Sequence, residues 1–302
     1  MTVFNRRRFL SITAAMMAAG TTLRAGTVSG LTVWRGVALG SGAQIALAHP
    51  EADAIIGRAR AEIARLEGIF SLYSSGSTLS SLNREGTLTA PPFELLECLS
   101  IANAVHGATG GRFDPTIQPL WAAYAEAAVQ GVAPQGIEAL PVGWEQVRFS
   151  EAAITLAPGM AITLNGIAQG YIADRVAAML RAEGLENVLI DTGEIHAMGD
   201  APARSGWPVQ TPHGEVVLRN RAVATSSPRG TVLDAKGVIG HILDPRSRQP
   251  AAPIWQSVTI SAPSAALADA LSTAACLAGT KNEILADLSQ FAQARLDSAV
   301  LA

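Results

Sequence analysis

The sequence predicts an α+β fold in which a mixed, largely antiparallel sheet is covered by helices. The 302 residues are 49% hydrophobic and 16% charged, a composition typical of a globular protein with a sizeable core. Runs with strand character and segments with helical spacing of apolar residues follow one another irregularly. Because several strand-like runs are separated only by turn residues, hairpins are favoured over a regular βαβ alternation.

The first half of the chain is mainly helical in pattern. A glycine-punctuated stretch of small and β-branched residues predicts a hairpin over 31–48. Pro50 opens a helix that runs to Phe70, with Ile55, Ile63 and Leu66 on one face. The Ser/Gly-rich composition of 71–86 predicts a loop. The further expected elements are a helix from Pro91 to the Gly110-Gly111 pair, a helix over 114–128 and a connector over 131–143.

The second half mixes the two periods and shows neither an internal repeat nor a clear linker. We therefore expect one domain over 26–302, with two intertwined subdomains as an open alternative. The expected strands are short runs within 147–156, then 187–191, 216–224, 237–243 and 255–261. The expected helices are 167–181, the apolar run 262–279 and a last helix over 282–292.

The amino terminus has the order of an export signal. Arg6, Arg7 and Arg8 precede Phe9-Leu10, a short apolar stretch and small residues that end at Ala25. This pattern resembles a twin-arginine signal over 1–25 and predicts a periplasmic protein, whereas the apolar stretch is too short for a permanent membrane anchor. A basic amphipathic helix is the alternative. Cleavage after Ala25 removes four arginines and no acid, which shifts the formal net charge from −3 to −7 and disfavours nucleic acid as a partner.

Cysteine and histidine spacing gives no metal motif. Cys98 and Cys276 each lie in an apolar helical pattern and are interpreted as buried free thiols, with a single disulfide as the alternative. The five histidines are scattered and form no HExxH pattern, so zinc is not expected.

Asp269 and Thr273 are the most informative pair in the chain. Four residues apart in an apolar helical run, they share one helix face. A buried carboxylate needs a partner, and a hard cation such as Mg²⁺ takes oxygen ligands of this kind. Local hydrogen bonding by both side chains is the competing interpretation.

Three further segments carry candidate chemistry. Gly166 and Gly170 flank a strand-to-helix junction that can bring backbone N–H groups to a phosphate, or can simply pack closely. His241 is expected at the end of a strand, as a phosphate ligand, a general base or a surface histidine. Thr225 and Glu194 follow strands and offer a hydroxyl and an acid, although both also suit turns.

Taken together and in this order, these motifs resemble those of the ApbE family, whose members are FAD-dependent FMN transferases that flavinylate other proteins. The resemblance extends from about Gly40 to the carboxyl terminus and implies an ApbE-like, T-fold-like architecture. The matching segments are Tyr73, 77–83, 111–116, 164–171 with Asp174, 192–199, 225–226, 241–245 and 268–273.

The resemblance also implies residue roles. FAD would bind with Mg²⁺ on its pyrophosphate, held by Asp269, Thr273 and a backbone carbonyl of the 166–168 loop, assigned to Ala168. His241 would take the proton from an acceptor threonine, which attacks the FMN phosphorus while AMP leaves. Asp174 would contact the adenosine, and Tyr73 would lie near the flavin. The remaining cofactor-binding residues implied are Ser77, Gly166, Gly170, Glu194 and Thr225.

This chain departs from the family pattern at several positions. Gly76 and Thr78 stand where many members carry acids, and Gln169 stands where a lysine is usual. Thr192-Gly193 replaces two glycines, and Ser227-Pro228 replaces a Gly-Asp pair. These departures put cofactor affinity and acceptor choice in question.

The expected function is FMN transfer from FAD to an acceptor protein with an FMN-binding domain, such as a membrane-bound electron-transfer subunit. The branch that serves nitrous oxide reductase maturation is one possible assignment. A FAD pyrophosphatase that yields FMN and AMP, and a periplasmic flavin carrier without turnover, are the alternatives.

Overall fold

A computed structural model describes residues 30–302 of the chain, so the predicted signal over 1–25 lies outside the described residues. The helices are α1 (Ala52–Phe70), α2 (Thr78–Glu85), α3 (Phe93–Ala108), α4 (Gln118–Gln130), α5 (Ala168–Ala182), α6 (Ala265–Ala275) and α7 (Lys281–Leu288). The strands are β1 (Thr32–Ala38), β2 (Ser41–Leu47), β3 (Thr87–Thr89), β4 (Arg148–Phe149), β5 (Ala153–Thr155), β6 (Val188–Asp191), β7 (Ile195–Met198), β8 (Trp207–Thr211), β9 (Gly214–Leu218), β10 (Arg221–Ser226), β11 (Leu243–Asp244), β12 (Gln249–Pro250), β13 (Trp255–Ala262) and β14 (Arg295–Leu301).

A seven-stranded sheet organises the molecule, in the order β1-β2-β6-β7-β10-β13-β14. Every neighbouring pair in it is antiparallel. The predicted α+β class and antiparallel character are therefore confirmed. Smaller sheets are formed by β3-β5-β4, β8-β9 and β11-β12.

Both faces of the central sheet are buried, which explains why its inner strands are apolar at successive positions. On β6, Val188 and Ile190 pack into the main core with the helices, whereas Leu189 points to the opposite face. There it meets Trp207 and Leu218 of the β8–β9 hairpin, which covers this second face. The sheet thus separates a helical layer from a small hairpin layer.

Helix α6 is almost entirely buried, as its apolar run predicts. It begins at Ser264, whose hydroxyl accepts a hydrogen bond from the backbone N–H of Leu267. It packs on α5, β10 and β13 and carries Asp269 and Thr273. Cys98 and Cys276 are both buried and free, so the predicted thiols are confirmed.

Several predicted elements are wrong. The segment 71–86 contains helix α2, which is capped by Ser77 and ends at Gly86 with a φ of 72°. Residues 216–224 form two strands separated by a turn, because Asn220 has a left-handed φ of 48°. The predicted last helix is present, but it ends at Leu288 rather than at 292.

The predicted strand over 237–243 is also wrong. The backbone there is held by the Asp234 carboxylate, which accepts hydrogen bonds from the N–H groups of Val238 and Ile239. Within this segment only Leu243 belongs to a strand, so His241 does not end one. Among residues 30–302, we find no helix with the length and hydropathy required to cross a bilayer.

Candidate active site

A cavity of about 630 Å³ opens between the central sheet, the start of α5 and the loops after β10. Its walls come from segments spread between Leu39 and Leu277, so it forms only in the folded chain. It brings together most of the predicted site residues, namely Tyr73, Gly166, Glu194, Thr225, His241, Asp269 and Thr273.

Asp269 is a buried carboxylate with a strongly raised pKa. It is 3% exposed, and burial raises the pKa of its carboxyl to about 8, with the charge of Asp174 adding to the shift. One hydrogen bond opposes this, a long one of 3.5 Å from the backbone N–H of Gly170. A buried carboxylate with so little compensation favours a cation as its partner.

Thr273 lies one helical turn beyond Asp269 and faces the loop that precedes α5. A Cβ atom placed on Gly166 would lie 3.0 Å from the Thr273 hydroxyl oxygen, so glycine leaves the space between them open. Ser226 on β10 contacts the same hydroxyl at 3.3 Å. A carboxylate, a hydroxyl and an open backbone segment therefore face one another, and this oxygen-rich set fits Mg²⁺.

Glu194 adds a second acid to this wall. Burial and the charges of Asp269 and Asp191 raise the pKa of Glu194 well above its usual range, although a hydrogen bond from the Thr225 backbone opposes the shift. Within residues 30–302, no group of three or more His, Cys, Asp or Glu side chains is arranged to hold a metal ion. The hydroxyl oxygens of Thr225 and Thr259, the latter on the neighbouring strand β13, share a hydrogen bond of 2.9 Å.

His241 lines the cavity and contacts the backbone of Thr231. Its Nδ1 lies 3.0 Å from the carbonyl oxygen of Thr231, and its backbone N–H donates to the same oxygen at 3.0 Å. The Thr231 backbone N–H lies 3.4 Å from the same Nδ1, but the carbonyl contact is the shorter of the two. Because a carbonyl oxygen only accepts, the shorter contact favours the proton on Nδ1 and Nε2 as the basic nitrogen. Burial lowers the pKa of His241, so the neutral imidazole prevails at neutral pH.

Tyr73, Phe113 and Trp121 contribute aromatic side chains to the lining of the cavity. Burial raises the pKa of Tyr73, and a hydrogen bond with Asn165 opposes that shift. The sequence reasoning missed Trp121, the β1–β2 turn at 39–42 and His213 in the β8–β9 turn. A glycine-containing hairpin turn was the signal at 39–42, whereas nothing local marks Trp121.

Four predicted site residues are not among those that line the cavity: Ser77, Ala168, Gly170 and Asp174. Ser77 is buried and accepts from the N–H of Ser80 as the cap of α2. Gly170 packs on the start of α6, where a Cβ atom would lie 2.3 Å from the carbonyl oxygen of Ala265. Asp174 accepts hydrogen bonds from backbone groups of α6, and its contact with adenosine stays a prediction.

Some of the residues that depart from the family pattern line the cavity, and others do not. Gln169 and Ser227 line the cavity, whereas Gly76 and Thr78 are not among the lining residues. The Gln169 side chain lies against Gly193, where a Cβ atom would come within 2.7 Å of its amide. Gly193 has a φ of 106°, which favours glycine at this position.

Several known proteins are similar to this chain in sequence. The sequence profile of the ApbE family matches residues 26–295. A relative from Chlamydia pneumoniae named FAD:protein FMN transferase is 29% identical over 230 residues, which cover 69% of this chain and 71% of the relative. One from Klebsiella pneumoniae with the same name is 27% identical and covers 69% and 70%.

Solved structures agree as well. The ApbE protein from Thermotoga maritima superposes with a TM-score of 0.78 at 27% identity, covering 90% of this chain and 94% of its own. The flavin transferase ApbE from Vibrio cholerae superposes with a TM-score of 0.73 at 21% identity, covering 89% and 95%, and supports the fold. Because the family profile matches most of the length of this chain, the chain belongs to the ApbE family.

Proposed function

We propose that this chain is an FAD:protein FMN transferase that moves FMN from FAD to a threonine hydroxyl of an acceptor flavoprotein. The product is a phosphoester, and AMP is released. One observation carries the proposal: a single cavity holds a neutral, partly exposed histidine together with the buried Asp269 carboxylate and the partly exposed Thr273 hydroxyl. Family membership and the names of the curated relatives support the choice of FAD as donor.

The proposed reaction needs a base and a positioned phosphate. The acceptor hydroxyl oxygen forms a bond to the FMN phosphorus as its proton passes to Nε2 of His241. The bond between that phosphorus and the bridging oxygen breaks, and the electron pair leaves with AMP. Phosphoryl transfer of this kind depends on orientation and on neutralisation of charge.

Mg²⁺ is the proposed cofactor. Asp269 and Thr273 would hold it, with a backbone carbonyl of the 166–168 loop as a further ligand. When bound, the ion supplies charge neutralisation on the pyrophosphate. The support lies in the donor set, because an ionised Asp269 is costly without a cation beside it.

We also propose export by the twin-arginine route and action in the periplasm, from the sequence of residues 1–25. The acceptor would be an FMN-binding domain of a membrane-bound electron-transfer subunit. Assignment to the nitrous oxide reductase maturation branch rests on the sequence departures alone.

One experiment separates the proposal from its alternatives. The chain from residue 26 is incubated with FAD, Mg²⁺ and a purified FMN-binding acceptor domain. The mass of the acceptor is then measured by mass spectrometry. We expect a gain of one FMN together with an equal amount of AMP. Release of FMN and AMP without a gain on the acceptor would indicate a pyrophosphatase, and bound FAD without AMP would indicate a carrier.

A further inference from the structure

The Asp174 carboxylate joins three elements behind the cavity. One of its oxygens accepts hydrogen bonds from the backbone N–H of Ala265 at 2.7 Å and from Nδ1 of His196 at 2.6 Å. The other oxygen accepts from the N–H of Ala266 at 2.9 Å. Asp174 belongs to α5, His196 to β7, and the two alanines to the first turn of α6.

These bonds fix one end of α6. The first N–H groups of any helix have no partner inside the helix, and a carboxylate there also favours the positive end of the helix dipole. Ser264 satisfies the N–H of Leu267 from within the same segment. Asp174, on α5, accepts from the N–H groups of Ala265 and Ala266. It therefore caps α6 and also links α6 to α5.

Gly170 brings the same two helices together one turn earlier on α5. A Cβ atom on Gly170 would lie 2.3 Å from the carbonyl oxygen of Ala265 and 2.6 Å from the nitrogen of Ala266. The Gly170 N–H also points to the Asp269 carboxylate. The contact between α5 and α6 is therefore fixed at two levels, by close backbone approach and by the Asp174 carboxylate.

This contact sets the distance across the cation site. Asp269 and Thr273 lie on α6, whereas Gly166 and Ala168 lie at the start of α5. A shift of α6 along or around its axis would move both oxygen ligands relative to the opposing backbone. We infer that Asp174, oriented by the buried His196, is a positioning residue that holds α6 at the spacing Mg²⁺ requires, an inference that rests on the proposed function.

The inference differs from the role that the family resemblance implies. An acid that contacts adenosine would present a carboxylate oxygen to the cavity, whereas Asp174 is not among the residues that line it. Here both oxygens are used by protein donors, and His196 is 6% exposed. Substitution of Asp174 should therefore disturb the metal site and leave direct FAD contacts in place.

The test compares Asp174→Asn with Ser264→Ala, both in a His241→Asn background so that FAD is not consumed. Asp174→Asn removes the link to α5, whereas Ser264→Ala removes a cap of the same helix end that stays within its own segment. Mg²⁺ is titrated into each FAD-loaded protein by calorimetry, and FAD binding is measured separately in EDTA. Hydrogen exchange at Ala265 and Ala266 reports the helix end directly.

We expect Asp174→Asn to weaken Mg²⁺ binding by about tenfold or more and to speed exchange at both amides, with FAD affinity in EDTA unchanged. Ser264→Ala should keep the parent affinity for Mg²⁺. Equal Mg²⁺ affinities for the parent and Asp174→Asn would overturn the inference. Weaker binding of FAD by Asp174→Asn in EDTA would also overturn it, because a direct contact between Asp174 and adenosine predicts that result. If Asp174→Asn does not fold, His196→Gln replaces it, with the same readouts and the same expected direction.

The parent protein separates this inference from the proposed function. A parent that binds FAD but no Mg²⁺ refutes the magnesium-dependent transferase and the positioning role together. A parent that binds Mg²⁺, beside an Asp174→Asn variant that binds it equally well, refutes the positioning role alone.

Discussion

Burial disfavours the charged form of both His241 and Asp269, and the consequences for the proposed chemistry are opposite. Removal of water disfavours the charged form of each, so the pKa of the histidine falls and the pKa of the aspartate rises. For His241 the neutral form is the one that accepts a proton. For Asp269 the neutral form is a poor metal ligand, so a cation must compensate for its burial.

The first prediction concerns His241→Asn. The variant should keep FAD affinity and lose transfer by about 10²–10⁴-fold, the usual contribution of a general base. In the wild type at saturating Mg²⁺, the lowered pKa means that protonation of His241 reduces transfer at pH below 6.5, the ordinary histidine value. Single-turnover rates across pH check both statements, and a variant with the wild-type rate would exclude His241 as the base.

The second prediction concerns Asp269→Asn in the metal-free chain. Because the folded-state pKa of about 8 lies above the ordinary value of 3.8, the wild type loses stability as pH rises through this window. The variant avoids that loss, so its free energy of unfolding should exceed that of the wild type by at least about 1 kcal/mol above pH 8. The gain should vanish near pH 4.

Urea denaturation in EDTA measures this difference, and added Mg²⁺ supplies the control. The ion should stabilise the wild type and leave Asp269→Asn unchanged. A variant less stable than the wild type at every pH would contradict the description of Asp269 as an uncompensated buried carboxylate.

At the scale of elements, the contact between α5 and α6 depends on one small residue. Alanine in place of glycine inside a helix usually stabilises by about 1 kcal/mol. At Gly170 the added methyl group would overlap backbone atoms of Ala265 and Ala266, which cannot rotate away. The steric cost therefore outweighs the gain in helix propensity.

The third prediction follows from this geometry. Gly170→Ala should lower the free energy of unfolding by about 1–3 kcal/mol and weaken Mg²⁺ binding as α6 is displaced. Gly57→Ala in α1 is the matched control, since nothing lies within 4 Å of its Cβ position, and it should stabilise slightly. Urea denaturation measures the free energy of unfolding of both variants. An undiminished value for Gly170→Ala would show that α5 and α6 can move apart at no cost in stability.

Local pattern identified the long helices and several strands, short ones included, and failed where polar side chains decide the local structure. Helix α1 and strand β13 have enough periodic residues to be recognised. In α2, the Ser77 cap, Leu79, Leu82 and the terminal Gly86 were present, yet the abundance of serine outweighed them. The 237–243 segment reads as β-branched and apolar, but the Asp234 side chain bonds its backbone instead of a neighbouring strand.

At the scale of the molecule, the cavity shows what sequence reasoning can reach. The Asp269 and Thr273 pair follows from helical spacing, because both residues lie on one element. The link from Asp174 to α6 spans 91 residues of sequence and depends on how two helices meet. Such contacts leave no local pattern, so sequence reasoning could bring candidate residues together by spacing only where a single element carries them.

The last prediction concerns the cooperativity of the whole chain. Because the cavity walls span Leu39 to Leu277, bound FAD should stabilise the entire domain. FAD at about 100 times its Kd contributes about 2.7 kcal/mol, a rise in Tm of about 5–10 °C for a chain of this size. Mg²⁺ should add to the rise in the wild type and not in Asp269→Asn. Calorimetric melting checks this: one shifted transition supports a single domain, whereas two transitions of which only one shifts would indicate separate subdomains.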